Sequence, residues 1–202
     1  AFFPLGESDP DPLTKEEFGL LINKGCLHDQ DRAAITLMVY TGLRPGELCG
    51  LAVEDINLRT QSLRVARSVT SRGTFKVPKT TKERTVLMLP PAVDAARTLI
   101  KLAEQNPTVS VQVEITRHQV RTDTVTPLLS PKLQARKTEV NDWFKPTAWR
   151  TKWAAIQRRA QIRPRRAYQT RHTFACWCLA AHGNLAFIAK QMGHRDFTML
   201  VK

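Results

Sequence analysis

Apolar positions follow a helical period at both ends of the chain and alternate in its middle, and this change of period divides the sequence. Thr14 followed three residues later by Glu17 is a capping box that opens a helix through about Lys24. Asp29 or Asp31 caps a second helix, Arg32 to Thr41, which is apolar nearly all round and therefore predicted to be a central core helix. Gly42 ends it as a left-handed cap, and Pro45 starts a short helix over Gly46 to Leu51 from the position that proline favours. Segments Ser62–Val69, Thr74–Pro78 and Arg84–Leu89 then alternate as strands do, with Arg72-Gly73 and Thr80–Glu83 as turns. They predict a three-stranded antiparallel meander. Pro90-Pro91 stops it and opens a helix from Val93 to about Glu104, after which Ser110 to Val125 alternate again as an extra hairpin or a long loop. Helical patterns return over Glu139–Gln161, with a break or kink at Pro146, over Gln169–Ala181, and from the cap Asn184 to Gln191. Gly183 and Gly193 end the last two, and Asp196 is a candidate cap for one more.

Composition narrows the class. The chain has 202 residues, enough for one domain with a substantial core. Its 31 Lys+Arg against 18 Asp+Glu leave +13, a field that gathers polyanions, of which nucleic acid is the commonest. No run of about 18 apolar residues predicts a membrane span. The opening Ala-Phe-Phe-Pro-Leu-Gly is not a signal peptide and lacks an initiator Met, as expected of a fragment or processed chain. Residues 1–12, with Pro4, Pro10 and Pro12, read as a linker or domain edge. Cys26, Cys49, Cys176 and Cys178 have no metal-ligand spacing and are expected to be free core thiols in a reducing cytoplasm.

No phosphate-binding loop, dinucleotide fingerprint, zinc-protease or serine-esterase motif occurs. Candidate chemistry lies instead in cations at helix ends. Arg44, in Thr41-Gly42-Leu43-Arg44-Pro45-Gly46-Glu47, is held extended by the following proline and sits at a helix N-terminus, a good anion site. Glu47, one turn on, can hold its guanidinium as a bidentate pair. Arg171 lies in the first turn of a helix, where a cation opposes the macrodipole unless an anion binds beside it. His194 follows Gly193 on a turn between helices.

Together these segments resemble the tyrosine recombinases, or phage integrases. Thr41-Gly-Leu-Arg-Pro-Gly-Glu-Leu-Cys-Gly-Leu51 resembles their first arginine box, Tyr168-Gln-Thr-Arg-His-Thr-Phe-Ala175 their second, and Met192-Gly-His-Arg-Asp196 their Gly-His segment. The resemblance runs from about Leu13 to the C-terminus. It implies an α+β, mainly helical catalytic domain over 13–202, with a small three-stranded antiparallel sheet packed against helices. It further implies that Arg44 and Arg171 clamp a scissile phosphate, that His194 hydrogen-bonds it, and that Lys79 protonates the departing 5′ oxygen, with Lys82 as competitor. Tyr168 stands where the family most often has histidine; a phenol can donate to a phosphate oxygen but, with a pKa of about 10, is a poor base. The family's attacking tyrosine follows the Gly-His histidine by roughly 9–10 residues, a count that points past Lys202, on a helix rising about 1.5 Å per residue.

The activity implied is DNA integration or recombination through a 3′-phosphotyrosyl link, with no ATP, no metal and no other cofactor. This stretch would then bind DNA without being able to cut it. The implied partners are duplex DNA and sister protomers of a tetrameric synapse, in a bacterial cytoplasm at the nucleoid, with no membrane and no nucleotide. The basic connector, with Arg158, Arg159, Arg163, Arg165 and Arg166, is expected to touch backbone phosphates. Two other readings share these residues: a non-catalytic DNA-binding regulatory protein on the same fold, and a relaxing enzyme of the type IB topoisomerase kind. A metal-dependent nuclease would need a carboxylate cluster that the arginines lack.

Overall fold

The computed structural model describes residues 10–78, 83–132 and 142–193. Helix α1 (Lys15–Leu20) opens on the expected capping box: Glu17 N donates to Thr14 Oγ1 at 3.1 Å and Thr14 N to Glu17 Oε2 at 2.9 Å. A wider π-type turn, Leu21–Gly25, extends it. Helix α2 (Asp29–Thr41) begins earlier than its apolar run, with His28 at the N-cap. Asp29 and Asp31 therefore sit inside its first turn rather than cap it, where their charge suits the exposed N–H groups. As its all-round apolarity requires, α2 is central: Ala34, Ile35, Leu37 and Met38 are fully buried, and it packs against α4 (Pro90–Ala103) and α6 (Gln169–Ala180). Short α3 (Pro45–Cys49) follows α2, with Pro45 as its first residue.

The predicted meander is corrected. Strand β1 (Ile56–Asn57) pairs with β2 (Ser62–Val65), and β2 with β5 (Arg84–Leu87), all antiparallel, as one three-stranded sheet. The segment Ser62–Val69 breaks at Ala66-Arg67, because Arg67 turns inward to ion pairs with Asp55 and with Asp123 at 2.7 Å. Beyond that break, β3 (Ser68–Val69) turns back into β4 (Phe75–Lys76), which takes a parallel neighbour, β6 (Val109–Thr116). Strand β6 folds back on β7 (Gln119–Val125), so the alternating stretch from Ser110 to Val125 is a hairpin and completes a second, four-stranded sheet.

Helix α5 (Pro146–Ala160) starts at Pro146, which corrects the kinked helix from Glu139. A proline at the first helical position gives up only an N–H that has no intrahelical partner there; inside a helix it would break a bond and clash. Residues 133–141 lie outside the described residues. Helices α6 and α7 (Leu185–Met192) end the described chain, and Asn184 caps α7 by accepting from Phe187 N at 3.0 Å. Most buried apolar side chains form one cluster. Phe174, Ala175, Ile188 and Met192 form a small separate one between α6 and α7. All four cysteines are free; Cys26 and Cys49 are in the core, but Cys176 and Cys178 are only half-buried. Among the described residues no helix is long and apolar enough to cross a membrane.

Candidate active site

Gly42 ends α2 in the left-handed conformation (φ 69°, ψ 20°), as expected, and here a side chain is also excluded sterically: a Cβ would lie 2.7 Å from Phe174 Cδ1. That close approach brings α6 against the end of α2, and the Gly42 carbonyl accepts from Arg171 Nη1 at 2.6 Å. Two residues after Gly42, Arg44 is extended (φ −74°, ψ 150°) at the N-cap of α3. The two arginine segments, 127 positions apart in sequence, are thus joined through one turn.

Arg171 is fully buried. Its described hydrogen bonds go to carbonyls, Gly42 and Met192, and its Nε has no partner among the described residues. Burial, then the positive charge of Arg44, push its pKa down to about 10. A buried cation held by carbonyl dipoles beside a second cation is short of negative charge, and an oxyanion would supply it. Arg44 is one-fifth exposed and can reach such an ion from the solvent side. Tyr168, half-buried one turn before Arg171, sets its ring edge-on to His172 at 5.4 Å.

Glu47 is 1% exposed and accepts from Arg44 twice, Nη1 at 3.0 Å and backbone N at 2.9 Å. The bidentate fork expected from Arg44 belongs instead to Arg84, whose Nη1 and Nη2 donate to the two Glu47 oxygens at 2.9 and 2.8 Å. Burial alone would raise the Glu47 carboxyl, but the Arg84 hydrogen bonds and charge, helped by Arg44, hold it below the ordinary carboxylate range. Lys79 and His194 lie outside the described residues. Their flanks do not: Val77, two residues before Lys79, donates through N to Glu114 O at 3.1 Å, and Gly193 ends α7 with φ 67°.

The model of the phage integrase family matches residues 13–202. The chain belongs to the phage integrase family. It is 40% identical over 203 residues to IntQ of Escherichia coli (strain K12), a match that covers 98% of this chain and 50% of that protein. The prophage integrase IntR of the same strain is 38% identical over 199 residues, covering 95% of this chain and 46% of the relative. The chain therefore spans about half the length of the curated relatives it matches. In fold it is similar to the Tn1549 transposon integrase in complex with transposon right-end DNA, with a TM-score of 0.75, 19% identity, and coverage of 97% of this chain and 62% of that one.

In this phage integrase chain the basic connector is not a uniform outward surface. Arg158, Arg163 and Arg166 are exposed. Arg159 donates through Nε to Gly25 O at 2.7 Å, and Arg163 pairs with Asp11. The expectation that Arg165 faces DNA is corrected: its side chain is 3% exposed and forks onto Glu17 at 2.9 and 2.8 Å. That fork, foremost, raises its pKa further. Glu17 in the first helical turn, with Asp11 ahead of the helix, draws this cation inward and fastens the connector to α1. Arg84 and Gln191 are the participants that sequence reasoning missed, since neither lies in a recognisable motif.

Proposed function

We propose that this chain is the catalytic domain, residues 13–202, of a site-specific DNA recombinase that works through a 3′-phosphotyrosyl intermediate. The observation that carries this reading is Arg171: buried, bonded to carbonyls rather than carboxylates, and depressed in pKa beside Arg44. Attack on a phosphodiester spreads negative charge over the non-bridging oxygens. Planar guanidinium forks placed beforehand stabilise that charge more as the five-coordinate state develops. In the proposed step a tyrosine phenol passes its proton to water, its oxygen bonds to phosphorus and the bond from phosphorus to the 5′ oxygen breaks. Lys79 gives that oxygen its proton, while His194 and Tyr168 hydrogen-bond the phosphate. The link stores the energy of the broken diester, and a 5′-hydroxyl of another strand recovers it on resealing.

Neither tyrosine of this stretch serves as the attacker. Tyr40 is clasped edge-on between Phe18 and Trp177, at 5.9 and 5.8 Å. Tyr168 already stands beside the clamp. The attack is therefore assigned to another tyrosine of the intact protein. The name of IntR, a prophage integrase, and the DNA complex of the Tn1549 integrase support DNA recombination as the activity. The partners proposed are duplex DNA and sister protomers in a tetrameric synapse, in the cytoplasm at the nucleoid. Among the exposed connector cations, Arg158 and Arg166 are proposed to contact backbone phosphates.

The test uses the intact protein and a recombination-site duplex. Arg44→Ala and Arg171→Ala should each lower covalent adduct formation by about 10²–10³-fold or more. Non-specific DNA binding, compared at one salt concentration, should change little. Undiminished adduct yield in either variant overturns the assignment.

A further inference from the structure

Arg84 begins β5, outside both arginine boxes, yet it is among the most tightly held cations near the clamp. Its side chain is 10% exposed. Besides the fork onto Glu47, its Nε donates to Gln191 O at 3.1 Å. Gln191 answers across the same seam, its Oε1 accepting from Leu87 N at 3.0 Å. Gly193 closes over the guanidinium, where a Cβ would lie 3.0 Å from Arg84 Cδ and 3.1 Å from Nε. The last turn of α7 therefore fixes where Arg84 points.

A carboxylate has about four lone-pair sites. Glu47 has all four used: Arg84 Nη1 and Arg44 Nη1 on one oxygen, Arg84 Nη2 and Arg44 N on the other. With Arg84 in place, Arg44 can spend only one side-chain N–H on Glu47 and keeps the rest of its fork for another oxyanion. Were Arg84 absent, the buried carboxylate would have two free sites and the nearest cation would be Arg44. A bidentate pair would form and draw that guanidinium away from solvent.

We propose that Arg84 is a positioning residue that saturates Glu47 so that Arg44 stays open to the scissile phosphate. This rests on the reading of the site given above. Arg84 need not touch DNA; it acts through the carboxylate.

The test follows cleavage by the intact protein in complexes saturated with a nicked recombination-site duplex. Arg84→Lys keeps the charge, but one ammonium cannot span both Glu47 oxygens and the Gln191 carbonyl. It should bind DNA within about threefold of the unaltered protein and form the covalent adduct about 10- to 100-fold more slowly, a loss in the rate of the bound complex and not in affinity. A second variant guards against a folding defect. In a Glu47→Gln background, where the carboxylate that Arg84 screens is absent, Arg84→Lys should slow cleavage by much less than it does alone, because the route it guards is already gone. A wild-type cleavage rate in Arg84→Lys, a loss confined to DNA affinity, or full additivity in the Glu47→Gln background overturns the proposal. Absence of any adduct from the unaltered protein overturns the functional reading, and this proposal with it. A cleaving protein indifferent to Arg84 overturns the proposal alone.

Discussion

Glu47 is a buried carboxylate between two guanidinium groups, so its ionisation is linked to folding. Its pKa in the fold lies below the ordinary 4.5, because Arg84 and Arg44 outweigh the effect of burial. A carboxyl depressed by folding contributes stability that is present above its unfolded pKa and lost as pH falls through the folded value. Glu47→Gln should therefore destabilise the protein at neutral pH by about 3–5 kcal/mol, since it leaves buried cations without their counterion. As pH falls from neutral through the lowered folded value, the gap to the unaltered protein should narrow, because protonated Glu47 resembles the amide. Urea unfolding at neutral pH and below the folded value measures it, and a gap constant across them would show that the carboxylate is not coupled. Arg44 and Glu47 were legible in sequence because their link is local, three residues across a proline-started turn. Arg84 was not, because its partner is 37 positions away and strand alternation does not say which polar residue finds a buried carboxylate.

Among the secondary elements, what could be read depended on whether the signal was local. Caps and helix-starting prolines are local, and α1, α4, α6 and α7 fall within a few residues of their predicted bounds. Strand pairing is not local. Alternation from Ser62 to Leu89 reports which face each residue takes, but not that β4, paired with β3 on one side, takes β6 rather than β5 on the other, nor that Arg67 interrupts a run by seeking Asp55 and Asp123. At α5 the helical period continued through Pro146, and periodicity alone does not tell a kink from a start. The two differ energetically. At the first helical position Pro146→Ala should change stability by less than about 1 kcal/mol, whereas relief of an interior proline would gain about 3 kcal/mol. Thermal unfolding decides, and a gain of the larger size would contradict the observed helix start.

For the molecule as a whole, the 31 Lys+Arg overstate the cations on offer to a polyanion, although internal pairing leaves the net +13 as it is. Arg67, Arg84 and Arg165 serve as internal staples, each with its side chain at most 10% exposed. The net excess was readable from composition; which cations turn inward was not, since that is set by carboxylates brought close only by the fold. The small apolar cluster beneath α7 has a different consequence. Set apart from the main core, it should let α7 open at lower free energy than α2, which native-state amide hydrogen exchange would resolve as two separate opening reactions. One common opening energy for Ala189 and Leu37 would contradict it. Two cations hold the last carbonyls of α7, Arg84 on Gln191 and Arg171 on Met192, so filling the clamp with an oxyanion should slow that exchange. Occupancy of the anion site would then be recorded, amide by amide, in the protection of a helix that contributes none of its arginines.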